Sequence, residues 1–201
     1  MLTKLEAVNQ MLDLIGETPV SSVTSTPALP DADRAVRFLD RASKEVQSRG
    51  YQCNKITTDV TPDTSGYVPV GSTWLRVDTV WTGTELDVTV RNKDGLRYLF
   101  NLETNSFDFS ACPTINIEYV EYLDYEDLTP TLQDYIAARA AVRFQQATVS
   151  SAELDKFAKE QEAIALFALN EAEAEAEDAN MLTDNAHAAM ITWRRNRFWG
   201  S

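Results

Sequence analysis

Apolar residues recur at helical spacing near both ends of this chain and alternate with polar ones in its middle. Leu5, Val8, Leu12 and Ile15 follow a Thr3-x-x-Glu6 capping box and precede Gly16, which predicts a first helix closed by a glycine stop. Prolines at 19, 27 and 30 forbid its continuation. A second helix is expected from about Asp31 to Gly50, with Ala35, Phe38, Leu39, Ala42 and Val46 on one face and Arg34, Arg37, Arg41 and Lys44 on the other.

From Tyr51 to about Leu123 the pattern changes to period two. Strands are expected at 74–81, 86–91, 96–100 and 114–122, where Val, Ile, Trp and Tyr alternate with polar residues. Asn92-Lys93-Asp94-Gly95 signals a hairpin turn, and Glu103-Thr104-Asn105-Ser106 a second turn. Helical spacing returns after Thr129-Pro130, a residue pair suited to the N-cap and first helical positions, with Leu132, Tyr135, Ile136, Ala140 and Phe144 available for burial. Ser150 and Glu153 form another capping box before a helix expected to run to about Asp178, roughly 40 Å long at ~1.5 Å per residue.

Two helices, a β segment, two helices and a tail give an α+β fold. The expected form is an antiparallel helical bundle of two N-terminal and two C-terminal helices, with an inserted antiparallel β-rich unit and an extended C-terminal tail. The corresponding divisions are 1–50 and 128–178 for the two halves of the bundle, 51–127 for the β-rich insertion and 179–201 for the tail.

Charge sharpens this picture. The chain has 201 residues and a net charge of −13, yet from Asn185 onward it has three arginines and no acid. Trp193, Arg194, Arg195, Arg197, Phe198 and Trp199 combine the residue types most enriched where protein surfaces desolvate one another, so the tail is a candidate docking segment. The other reading is a chain end whose aromatics fold back on their own core. Between Glu153 and Asp178, nine acids face two lysines. The alternating Glu171, Glu173, Glu175 and Glu177 are either a solvated helix face or an acidic wall that repels a passing polyanion.

The acidic balance argues against tight wrapping of nucleic acid, which needs Lys and Arg to displace counterions. No run approaches the ~18 apolar residues of a membrane span, and the N-terminus lacks a secretory pattern, so production in a cytosol is expected without membrane insertion. Cys53 and Cys112 are too far apart and too few for a metal knuckle; a disulfide between them stays open, while a reducing compartment favours buried free thiols.

Catalytic signals are sparse. His187 is the single histidine, no nucleophile elbow accompanies it, and the seven glycines form no phosphate-binding motif. Asp124, Glu126 and Asp127 cluster without the register of a calcium loop. No catalytic, metal or cofactor residues are therefore assigned. A carboxylate pair remains open, because a glycosidase needs only two acids ~5–9.5 Å apart, with Trp74, Trp81, Tyr98, Phe107 or Tyr119 as stacking platforms or, alternatively, as core.

Ala7-Val8-Asn9-Gln10-Met11-Leu12-Asp13-Leu14-Ile15-Gly16-Glu17-Thr18-Pro19-Val20-Ser21-Ser22-Val23 and Val46-Gln47-Ser48-Arg49-Gly50-Tyr51-Gln52-Cys53-Asn54 resemble the tail tubular protein A family of short-tailed bacteriophages. The similarity continues more weakly through Leu123–Pro130, the third helix and Asn180-Met181-Leu182, and is absent from the β unit. The resemblance implies a virion adaptor, or gatekeeper, ring, usually a dodecamer, that sits under the portal protein, binds the tail nozzle and helps anchor tail fibres. Double-stranded DNA would pass through it without specific binding. The alternative function is a tail-associated hydrolase of capsular polysaccharide or peptidoglycan. The Trp-Arg-Arg-Asn-Arg-Phe-Trp ending is not a family hallmark.

Overall fold

The computed structural model describes residues 1–23, 30–80, 86–149 and 151–184, with side chains as far as 176. The chain order is α1 (Lys4–Leu14), α2 (Pro30–Gln47), β1 (Lys55–Val60), β2 (Trp74–Thr79), β3 (Val88–Lys93), β4 (Leu96–Asn101), β5 (Ile115–Glu121), a 3-10 turn at Tyr125–Asp127, α3 (Pro130–Thr148) and α4 (Ala152–Asp184). The fold is α+β with antiparallel sheets. It divides into two compact units, Met1–Ala35 with the chain from Thr129, and Val36–Leu128, so the division falls inside α2.

In the first unit, α1 begins at the expected capping box. The Thr3 N–H donates to the Glu6 carboxylate at 2.8 Å, and the Glu6 N–H donates to the Thr3 hydroxyl at 3.2 Å. It ends in a Schellman pattern, Gly16 N–H to Asp13 O and Glu17 N–H to Leu12 O, which needs the left-handed φ of +79° that Gly16 adopts. The buried stripe is Ala7, Val8, Met11 and Leu12. It is rotated from the expected one, leaving Leu5 and Ile15 only half-buried. Asn9 clamps the following segment: its amide nitrogen donates to Val20 O at 3.0 Å while its oxygen accepts from Val20 N–H at 2.8 Å.

α3 packs against both α1 and α4. Leu132, Tyr135, Ile136, Ala140 and Phe144 are buried as expected. Thr129 occupies the N-cap position, but its hydroxyl makes no capping bond. Ser150 lies outside the described residues, and α4 opens one residue later than its capping box implied, with the Ser151 hydroxyl accepting from Leu154 N–H at 3.5 Å. The helix runs 33 residues, past the expected end near Asp178, because the Ala/Glu-rich second half contains no Gly or Pro to stop it. Arg139 of α3 and Glu162 of α4 form an ion pair at 2.8 Å.

In the second unit, β1, β5 and β2 form a sheet in that order, with β5 central, and β3–β4 form a separate hairpin. The hairpin turns at Asp94-Gly95, both at positive φ as a two-residue type I′ turn requires, with Lys93 opposite Leu96. The second expected turn is also present, closed by reciprocal backbone bonds between Asn101 and Ser106. β1 was not expected as a strand. Its inward positions, Ile56, Thr58 and Val60, are only half-buried, and the threonines blur the alternation. Val68, Val70, Val77, Val88, Leu99, Phe109, Ile115 and Ile117 form the core of this unit.

A buried polar latch joins the end of α2 to the end of β5. The Gln47 amide nitrogen donates to Ser43 Oγ and to Leu123 O, each at 2.9 Å, and its oxygen accepts from Leu123 N–H at 2.8 Å. Asn54 extends the latch by donating to Gln47 O at 3.1 Å and Glu121 O at 2.9 Å, and by accepting from Tyr51 N–H at 2.8 Å. Gly50 turns the chain between them at φ +81°, where an added Cβ would lie 2.9 Å from the buried Val120 side chain.

Candidate docking surface

α4 presents two neighbouring stripes. Ala158 and Leu169 are buried, with Ala165, Ala172 and Ala176 half-buried close to the same line. Beside this packing face lie Phe157, Gln161, Ile164 and Ala168, spaced four, three and four residues apart. Phe157 and Ile164 are 55% and 58% exposed, so this second stripe has no intramolecular cover among the described residues.

The stripe forms one wall of a groove of about 460 Å³ whose other walls are Met11 and Leu14 of α1 and Ala137, Ala138 and Ala141 of α3. Alanines of α3 and α4 line it together with the larger Phe157 and Ile164. Asp134 borders both this groove and an adjoining polar depression that also contains Glu6 and Asp13. An apolar trough with an acidic margin can take an aromatic and basic segment.

The glutamate run is split by the helix. Residues two apart lie about 200° apart around an α-helix, so Glu171 and Glu175 share one side while Glu173 lies on another. Glu171 and Glu175 are exposed and continue the line of Ile164 and Ala168, whereas Glu173 is half-buried. The side chain of Glu177 lies outside the described residues, as do His187 and all six tail residues, Trp193, Arg194, Arg195, Arg197, Phe198 and Trp199.

The aromatic residues of the β unit are occupied with one another. Trp74 and Tyr119 stack at 4.0 Å between ring centroids against the core, while Trp81 lies outside the described residues. Burial, reinforced by Glu121, pushes the Tyr119 phenol up. Tyr98 packs edge-on against Tyr67, and Phe107 against Phe100 and Tyr67. Cations cover two of these faces: Arg91 sits 3.7 Å above Phe100 and Lys93 3.8 Å above Tyr67. A sugar stacking there would have to displace them.

The carboxylates with displaced protonation move the wrong way for a general acid. Glu6 is lowered by the Thr3 backbone N–H and then its hydroxyl, Asp108 by the Ser110 hydroxyl and then its N–H, and Asp155 by Lys159 and then Gln146. Asp124 occupies the N-cap position of the 3-10 turn that contains Glu126 and Asp127. Among the described residues no group of His, Cys, Asp and Glu is placed to hold a metal ion, and no helix is long and apolar enough to cross a membrane. Cys53 and Cys112 are not in a disulfide, and both are half-buried.

Sequence reasoning assigned no role to Asn9, Gln47 or Asn54, although all three lie in the two segments that carry the family resemblance. A signal existed for Gln47: Leu39, Ser43 and Gln47 are spaced four apart on the buried side of α2, so an amide was due inside.

A family model described as tail tubular protein matches residues 5–179. The chain is also similar to tail tubular protein A of Klebsiella phage KP34, at 28% identity over 127 residues. That match covers 63% of each protein, so the chain spans just under two thirds of this relative's length. Apart from Lys4 at the start of α1 and the last residues of α4, the family match takes in every described element, and it ends before the arginine and tryptophan segment.

Proposed function

The chain belongs to the tail tubular protein family, a structural component of a phage virion tail, and from that premise we propose that it is the subunit of an adaptor ring between portal and tail nozzle. The family match over residues 5–179 carries the proposal. In this reading the helices of both chain ends form the bundle that closes the ring, and twelve copies surround the channel.

Two physical features support the reading. The uncovered groove along α4 is the kind of surface that subunit association buries. The exposed Glu171 and Glu175 suit a lumen that lets double-stranded DNA slide without sticking, since like charge opposes adsorption. The C-terminal segment Trp193–Trp199 then serves as a connector to a neighbouring protein: portal, nozzle or tail fibre. The hydrolase alternative gains nothing from the lowered carboxylates or the cation-covered aromatic rings.

Light scattering of the chain mixed with portal protein tests the assignment. A ring-sized complex with fixed stoichiometry is expected. A chain that stays monomeric beside portal at high concentration refutes it.

A further inference from the structure

We propose that the groove between α1, α3 and α4 of one copy receives α2 of a second copy, with Arg37, Arg41 and Lys44 laid along its acidic margin. The proposal rests on the reading of the chain as a ring subunit and deepens it by naming the two faces that meet.

Phe157 and Ile164 stand largely exposed in the groove, an apolar surface of the kind that association buries. Its surroundings are acidic. Asp134 lines it, Glu6 and Asp13 line the adjoining depression, and the exposed Glu160 lies beside Phe157 and Ile164 on α4. Among the described residues no Lys or Arg side chain lines either recess. Lys156 and Lys159 lie farther round α4, and Lys159 is paired with Asp155.

That distribution decides the symmetry of the contact. A two-fold pairing of groove with groove would set these acids against their own copies, and like charges juxtaposed across an interface oppose association. The surface that enters the groove must therefore differ from it and carry the opposite charge. Such head-to-tail contacts form rings when the rotation closes.

The second face is on α2. Arg37, Arg41 and Lys44, spaced four and three residues apart, form one exposed line on the side opposite the buried Ala35, Leu39, Ala42 and Val46. Asp40 is the exposed acid beside them, so cations outnumber it three to one. No other helix carries three exposed cations among its described residues. A helix laid in an apolar groove is a recurring docking mode, and the long stems of Arg and Lys can cover Phe157 and Ile164 while their charged heads reach the acids. A guanidinium over the Phe157 ring adds to the attraction. Glu171 and Glu175 lie beyond Ala168, the last residue of α4 to line the groove, and are left for the lumen.

Charge reversal in the full-length chain tests the proposal. One variant carries Arg37→Glu, Arg41→Glu and Lys44→Glu, the other Asp134→Lys and Glu160→Lys. In sedimentation velocity at high micromolar protein the wild-type chain should self-associate, and each variant alone should do so about tenfold more weakly. Mixed one to one they should associate again, because each variant then offers the face that the other needs. A misfolded variant could not be rescued in this way. Unchanged self-association of either variant would overturn the proposal, as would a mixture that associates no better than its components. Ring formation on portal is measured separately with the wild-type chain. Rescue by mixing without a ring on portal removes the adaptor reading and leaves the contact; a ring on portal without rescue does the reverse.

Discussion

Replacing Gln47 with Met removes that side chain's bonds from the latch between α2 and β5, leaving those of Asn54, while nearly preserving side-chain volume. Gln47 is fully buried and makes three hydrogen bonds, two of them to the backbone of Leu123. The thioether cannot replace them, so the Leu123 N–H and C=O both lose their partner. A buried unsatisfied group costs roughly 1–3 kcal/mol, and because Leu123 is only half-buried the pair should cost about 2–4 kcal/mol. That is a sizeable share of the ~5–15 kcal/mol that holds a typical domain folded. Urea titration followed by tryptophan emission reads it as a lower midpoint at unchanged slope. Ser43→Ala is the control, since Gln47 keeps both Leu123 bonds and the loss should stay below about 1 kcal/mol. A Gln47→Met loss under ~1 kcal/mol, or one no larger than that of Ser43→Ala, would refute the reasoning.

Other outcomes follow from single residues. Gly50→Ala should destabilise more than Gly16→Ala in thermal melts, because both sit at positive φ but only at Gly50 does the new Cβ meet a side chain within 4 Å; equal losses would remove the Val120 contact as a cause. The folded-state pKa of Glu6 is depressed, so its contribution to α1 is present above the ordinary value of 4.5 and is lost as pH falls through the lowered one. An NMR titration of its carboxyl should place the midpoint below 4.5, and a midpoint at or above that would contradict the cap. Glu171→Gln with Glu175→Gln should raise retention of DNA by the assembled ring at low salt, and unchanged retention would place these side chains away from the lumen.

Much of the framework was legible in the sequence because short-range physics writes it there. The Thr3–Glu6 box, the Gly16 stop and the Asp94-Gly95 turn are local devices that need no tertiary partner. β1 was missed because Lys55-Ile56-Thr57-Thr58-Asp59-Val60 shows little contrast between its faces, and only pairing with β5 settles it as a strand. The rotation of the α1 stripe toward Ala7 and Met11 reflects packing against α3, which favours small and unbranched side chains that periodicity alone ranks below Leu and Ile. The same limit hid the groove along α4. Phe157, Ile164 and Ala168 read as ordinary helical apolar residues, and only the alanines of α3 reveal that their side of α4 remains uncovered. The glutamate run shows the converse, since a string of alternating acids suggests one wall where helical geometry makes two sides.

The central claim, that this chain closes into a ring beneath the portal, is tested most directly by electron microscopy of the purified chain mixed with portal protein. The account predicts a closed ring, twelvefold and coaxial with the portal channel, with the α4 residues Glu171 and Glu175 facing the lumen. Particles of portal alone beside free monomer, or a ring with those glutamates on its outer wall, would contradict it.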